Sequence, residues 1–137
     1  MGAREVQIGS ERDSAGAGRF FEGDEEEFHF PMRDKHGDPL NLAEAQEIDF
    51  RVYEDEWDSK DPTNAVISKT MGNGITTIDP NNEGTEGTAA VSMDYEDTNE
   101  IADGSSETFY FELWVKDAAS RQLTMFYGKF TIHPSGK

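Results

Sequence analysis

The run Phe109-Tyr110-Phe111-Glu112-Leu113-Trp114-Val115 constrains this chain more than any other stretch, because its residue types fit a pleated strand. Side chains of a strand alternate between faces, so Phe109, Phe111, Leu113 and Val115 line one face and Tyr110, Glu112, Trp114 and Lys116 the other. A helix would scatter the apolar set around its axis. The stretch is also too short for a typical helix, being bounded by Gly104-Ser105-Ser106 and Asp117-Ala118-Ala119-Ser120. It reads as a central strand of an antiparallel sheet. Residues 121–133 follow as a second β-rich run, so the two are expected to form a hairpin with Phe126, Phe130 and Ile132 on one face.

Other stretches repeat the alternation. In 25–33, Phe28, Phe30 and Met32 alternate with polar residues, and Pro31, which has no N–H for a ladder, marks an edge strand. Asp34-Lys35-His36-Gly37-Asp38 reads as a tight turn, and Leu40 and Leu42 as a short extended cap on the core. Residues 43–46 allow one helical turn at most. In 47–54, Ile48, Phe50 and Val52 face inward and Asp49, Arg51 and Tyr53 outward. Residues 65–70 and 75–78 are joined through Asn73-Gly74, the strongest short hairpin signal in the chain. In 88–95, Ala89, Val91 and Met93 share a side. About seven to eight closely spaced strands, with no helix of consequence, favour an all-β fold, an immunoglobulin-like antiparallel β-sandwich over 19–134. Residues 1–18 are polar and rich in small residues, an extended N-terminal arm that is flexible or ordered by assembly, and 135–137 form a tail.

The 137 residues can bury a core without disulfides, and no cysteine is present. No apolar run approaches a membrane span, and the first residues lack the pattern of a secretory signal, so a soluble protein is expected. Twenty-nine acidic residues face 12 basic ones, for a net charge of −17. That balance disfavours nucleic acid and anionic membranes as partners. The acids are dispersed and do not form one tail, and lysine is scarce. Both features fit a surface adapted to high salt, where a Debye length of about 3 Å at 1 M removes self-repulsion; the alternative is an ordinary acidic mesophilic protein kept soluble by its charge.

The run from Phe28-His29-Phe30-Pro31-Met32-Arg33 through Asp38-Pro39-Leu40-Asn41-Leu42, the strand around Ile48 to Tyr53, Val66-Ile67-Ser68-Lys69, Gly74-Ile75-Thr76 and the ending Gly128-Lys129-Phe130-Thr131-Ile132 resemble one known family. It is the immunoglobulin-like domain at the N-terminus of the baseplate upper protein of tailed phages, a domain found alone in small structural proteins of tailed viruses. The chain departs from it at Glu107-Thr108-Phe109-Tyr110, where the family carries a glycine-tyrosine step, and a single domain is expected, without the helical or coiled segments that tie a baseplate protein to its neighbours. With the acidic surface, the resemblance implies a virion component of a tailed virus infecting a salt-loving host. It would be assembled in the host cytoplasm and placed as capsid decoration, at the neck, or in the tail or baseplate. The implied partners are other virion proteins, in a homo-oligomer or larger assembly.

Few residues point to chemistry, and no enzyme is expected. His29, His36 and His133 lie in a strand, a turn and the terminal tail, without the spacing of a metal-binding helix. Asp79, Asn81 and Glu83 alternate ahead of Gly84 like the opening of a calcium loop, but position twelve is Ala90 where a bidentate Glu belongs. A plain turn is the simpler account. No cofactor is expected, and any divalent cation there would bind weakly. Val6, Ile8, Phe20, Phe21, Trp57, Tyr110 and Trp114 are the candidate partner contacts. Trp57, Tyr110 and Trp114 also raise the alternative of an adhesion or carbohydrate-binding module, since aromatic faces stack on sugars; core or inter-subunit packing is the plainer role for them.

Overall fold

The computed structural model describes residues 4–6, 23–33, 36–54, 65–77, 87–98 and 107–134. The fold is all-β. The strands are β1 (Arg4–Glu5), β2 (Glu26–Pro31), β3 (Glu47–Tyr53), β4 (Ile67–Met71), β5 (Gly74–Thr77), β6 (Thr88–Met93), β7 (Glu107–Lys116) and β8 (Gln122–Ile132). A 3-10 turn at Leu42–Glu44 and a single helical turn, α1 (Tyr95–Thr98), complete the described elements. The alternation of the Phe109 stretch is realised in β7, where Phe109, Phe111, Leu113 and Val115 are all buried. β8 pairs antiparallel with it and turns Phe126, Phe130 and Ile132 into the same core.

Hydrogen bonds join the strands in one sheet, in the order β1-β8-β7-β3-β4-β5-β6-β2. β2 ends that order, as Pro31 requires. Five strands separate β2 from β8, yet Phe28 of β2 meets Phe130 of β8 edge to face at 5.8 Å. Phe30 of β2 lies 5.2 Å from Phe126, 6.0 Å from Phe50 and 6.1 Å from Phe111. The sheet therefore curls until its β2 end faces β3, β7 and β8. Burying each phenylalanine contributes roughly 1.5–3 kcal/mol, and each well-oriented ring pair about 0.5–1.5 kcal/mol more.

Two pairings depart from the antiparallel expectation. Asn73-Gly74 does not close a hairpin, because β4 and β5 pair in parallel, Thr70 with Gly74 and Met71 with Ile75. Gly72 and Gly74 adopt φ of 83° and 97°, and Thr70 and Asn73 exchange backbone hydrogen bonds of 3.1 and 2.8 Å. Two left-handed residues so close together loop the chain out and return it to its original heading. β4 pairs with β3 before this corner and β5 with β6 after it.

The second departure is β1. Arg4 and Glu5 lie beside Phe126 and Tyr127 of β8 in parallel register, and the Val6 N–H donates to the Tyr127 carbonyl at 3.0 Å. Val6 is only 7% exposed and belongs to the hydrophobic core. This part of the expected arm is thus held by its own chain. Gly128 permits the approach, since a Cβ there would overlap the Val6 carbonyl oxygen.

Candidate binding face

Among the described residues, the outward side of β3, β7 and β8 brings several chemically versatile side chains together. The register sets Tyr53 beside Tyr110 and Tyr110 beside Lys129; in the next row Arg51 lies beside Glu112, Glu112 beside Tyr127 and Tyr127 beside Glu5. One row further, Asp49 is beside Trp114 and Trp114 beside Thr124. A β-bulge at Met125 keeps this phase, because Leu113 pairs with Phe126 but Trp114 with Thr124.

This side is not simply wet, although alternation alone marks it as outward. Tyr53 is 1% exposed, Asp49 5% and Trp114 9%. Arg51 organises the group: its guanidinium lies 5.4 Å from the Trp114 ring centre and 3.8 Å from the Asp49 carboxylate, and it hydrogen-bonds Tyr53. Burial pushes the Asp49 carboxyl above its ordinary pKa, with Arg51 opposing and Glu47 adding to the rise. Burial likewise raises Tyr53, against the pull of Arg51. Both groups therefore hold their protons to higher pH than exposed counterparts would.

Beside this group opens a groove of about 300 Å³, lined among the described residues by Glu5, Tyr53, Tyr110, Phe111, Glu112, Tyr127, Gly128 and Lys129. Tyr127 is its most open aromatic wall, at 41% exposure. Tyrosine faces combined with two carboxylates and an ammonium can take apolar contact and hydrogen bonds at once.

Of the partner-contact candidates, Tyr110 lines the groove, Trp114 is buried beside Arg51, and Val6 contacts its own β8 and so is no free surface. Ile8, Phe20, Phe21 and Trp57, and the cation candidates Asp79, Asn81 and Glu83, lie outside the described residues. His29 is exposed on β2 and meets the Glu27 carboxylate at 2.7 Å. Among the described residues no three His, Cys, Asp or Glu side chains group as metal ligands. Sequence reasoning missed Arg51, Tyr53, Glu112, Tyr127 and Gly128 as site residues. The outward alternation of Arg51, Tyr53, Glu112 and Tyr127 was visible, whereas Gly128 falls in the core-facing phase of Phe126 and Phe130; only the strand register reveals that they are neighbours.

No family model matches this chain, and no curated protein is similar enough to count as a relative.

Proposed function

We propose that this protein is a non-enzymatic structural component of a tailed virus particle of a salt-loving host, working through protein–protein contacts. The supporting observation is the groove face, where Tyr110 and the exposed Tyr127 sit on the long strands β7 and β8, with Arg51 and the buried Trp114 paired alongside. Tyrosine, tryptophan and arginine dominate the energetics of protein contacts, and residues fixed on a sheet lose little entropy on docking. The curled sheet serves as a rigid immunoglobulin-like block, placed as capsid decoration, at the neck, or in the tail or baseplate. The virus setting rests on the resemblance carried by the 28–42 and 128–132 motifs, and the high-salt setting on the net charge of −17. Quantitative mass spectrometry of purified particles from a halophilic host tests this reading. Hundreds of copies place the block on the capsid or tail tube, and a few to tens at the neck, baseplate or a vertex. Its absence from particles overturns the reading.

The same groove supports a second reading, an adhesion or glycan-binding module, because Glu5 and Glu112 stand beside Tyr110 and Tyr127 where they can accept hydrogen bonds from hydroxyls. Tyrosine fluorescence titrated with host-surface glycans separates the two: a saturable response abolished by Tyr110→Ala favours the module, and a flat titration removes it.

A further inference from the structure

We propose that β1 is an exchangeable strand, and that the slot it fills on β8 also accepts the Arg4–Glu5 segment of a second copy of this chain. The inference rests on the assembly reading and names the partner and the contact. The slot is a built feature. Gly128 leaves room where any Cβ would overlap the Val6 carbonyl oxygen, the Tyr127 carbonyl accepts the Val6 N–H at 3.0 Å, and Val6 enters the core. The strand that fills it is short, two residues in parallel register with Phe126 and Tyr127.

Every one of these contacts is the same whichever copy supplies the strand. The two arrangements differ only in the connection, the 16 residues between Val6 and Gly23, which include Ser14-Ala15-Gly16-Ala17-Gly18. Extended, such a connection reaches roughly 50 Å at about 3.3 Å per residue, more than a domain of this size measures across. By its length alone, a tether of this size gives its own strand an effective concentration on the order of millimolar, so neighbours packed more densely than that compete with it. Identical elements exchanged between identical subunits are a low-cost route to association. The net charge of −17 opposes the approach of copies in dilute buffer, so exchange should strengthen with salt.

The chain has no cysteine, which makes the test direct. Glu5 and Tyr127 are opposite each other, and neighbouring strands about 4.8 Å apart fall within disulfide reach. A Glu5→Cys chain and an isotope-labelled Tyr127→Cys chain are refolded together at ~1 mM protein in ~3 M salt, oxidised gently, and analysed by mass spectrometry. The expected result is a disulfide from position 5 of one chain to position 127 of the other, falling several-fold in dilute, low-salt buffer. Sedimentation of the unmodified chain under the same conditions should show a dimer or larger species, and Gly128→Val should return it to monomer while near-ultraviolet circular dichroism stays native. Two results overturn the proposal: an unmodified chain that stays monomeric, or an assembly that Gly128→Val leaves intact. Both readouts use purified protein, so they stand apart from the particle copy number that tests the assembly reading.

Discussion

Asp49 and Asp117 both sit on the central strands or their turn, and the structure moves their proton affinities in opposite directions. Burial raises the Asp49 pKa, so the folded chain holds that proton more tightly than the unfolded chain. By linkage, stability falls as pH rises from 3.8 through the raised value, as the cost of a buried carboxylate comes into play. Asp49→Asn is expected to match or exceed the parent in urea denaturation at pH 7, and to lose that advantage below pH 3.8. Asp117 is the reverse case. Its Oδ1 accepts the N–H groups of Arg121 and Ala119, both at 2.9 Å, and its Oδ2 the Arg121 Nε at 3.0 Å. These bonds, the Arg121 N–H foremost, hold the carboxylate below its ordinary pKa, so its contribution is present above 3.8 and is lost as pH falls through the depressed value. Asp117→Ala should lower Tm at pH 7, and the difference should shrink in acid. The run Asp117-Ala118-Ala119-Ser120 announces this turn in the sequence, but the left-handed φ of 64° at Ser120 does not follow from its residue type.

Between elements, the single turn α1 ties distant strands together. Lys69 of β4 shares the core-facing side with its partner Phe50 and is only 8% exposed; its stem runs beneath Gly74, and its ammonium reaches the Asp97 carboxylate at 2.7 Å. Asp97 also accepts the Asp94 N–H at 2.7 Å while returning its own N–H to the Asp94 carbonyl, so it caps α1 as well as pairing with Lys69. Thr98, fully buried, accepts the Gly23 N–H at 2.8 Å ahead of β2. Lys69→Met keeps the stem but removes the charge, and should cost about 1–3 kcal/mol in chemical denaturation. A double-mutant cycle with Asp97→Asn should show coupling, and simple additivity would remove the link assigned here. The alternating faces of β3, β7 and β8 were legible because alternation belongs to each strand's own residues. The corner at Asn73-Gly74 was not, because the same dipeptide serves a hairpin or a direction-preserving loop, and Gly72 decides between them. Nor could sequence show that Arg51 lies against Trp114 of the neighbouring strand, since that depends on the register.

For the molecule as a whole, charge is the dominant variable. With 29 acidic against 12 basic residues, the folded chain crowds like charges that the unfolded chain spreads apart. Tm should therefore climb by several degrees between about 0.1 and 3 M salt, the steepest gain coming where the Debye length shrinks from about 10 to 3 Å. A melting curve indifferent to salt would remove the role given to screening, both in stability and in the close packing of subunits.

The order of strands in the sheet also dictates how the chain must fold. Glu26 pairs with Met93 and Glu47 with Lys116, whereas β7 and β8 meet across the short Asp117 turn. Closing the long loops before any contact rewards them makes for slow folding, on the order of milliseconds to seconds for such topologies. During that delay the β7–β8 hairpin can form alone with its apolar face bare. Mutual repulsion between highly charged chains then guards against aggregation during the wait, so brine, which stabilises the finished fold, should also raise the fraction of chains lost while folding.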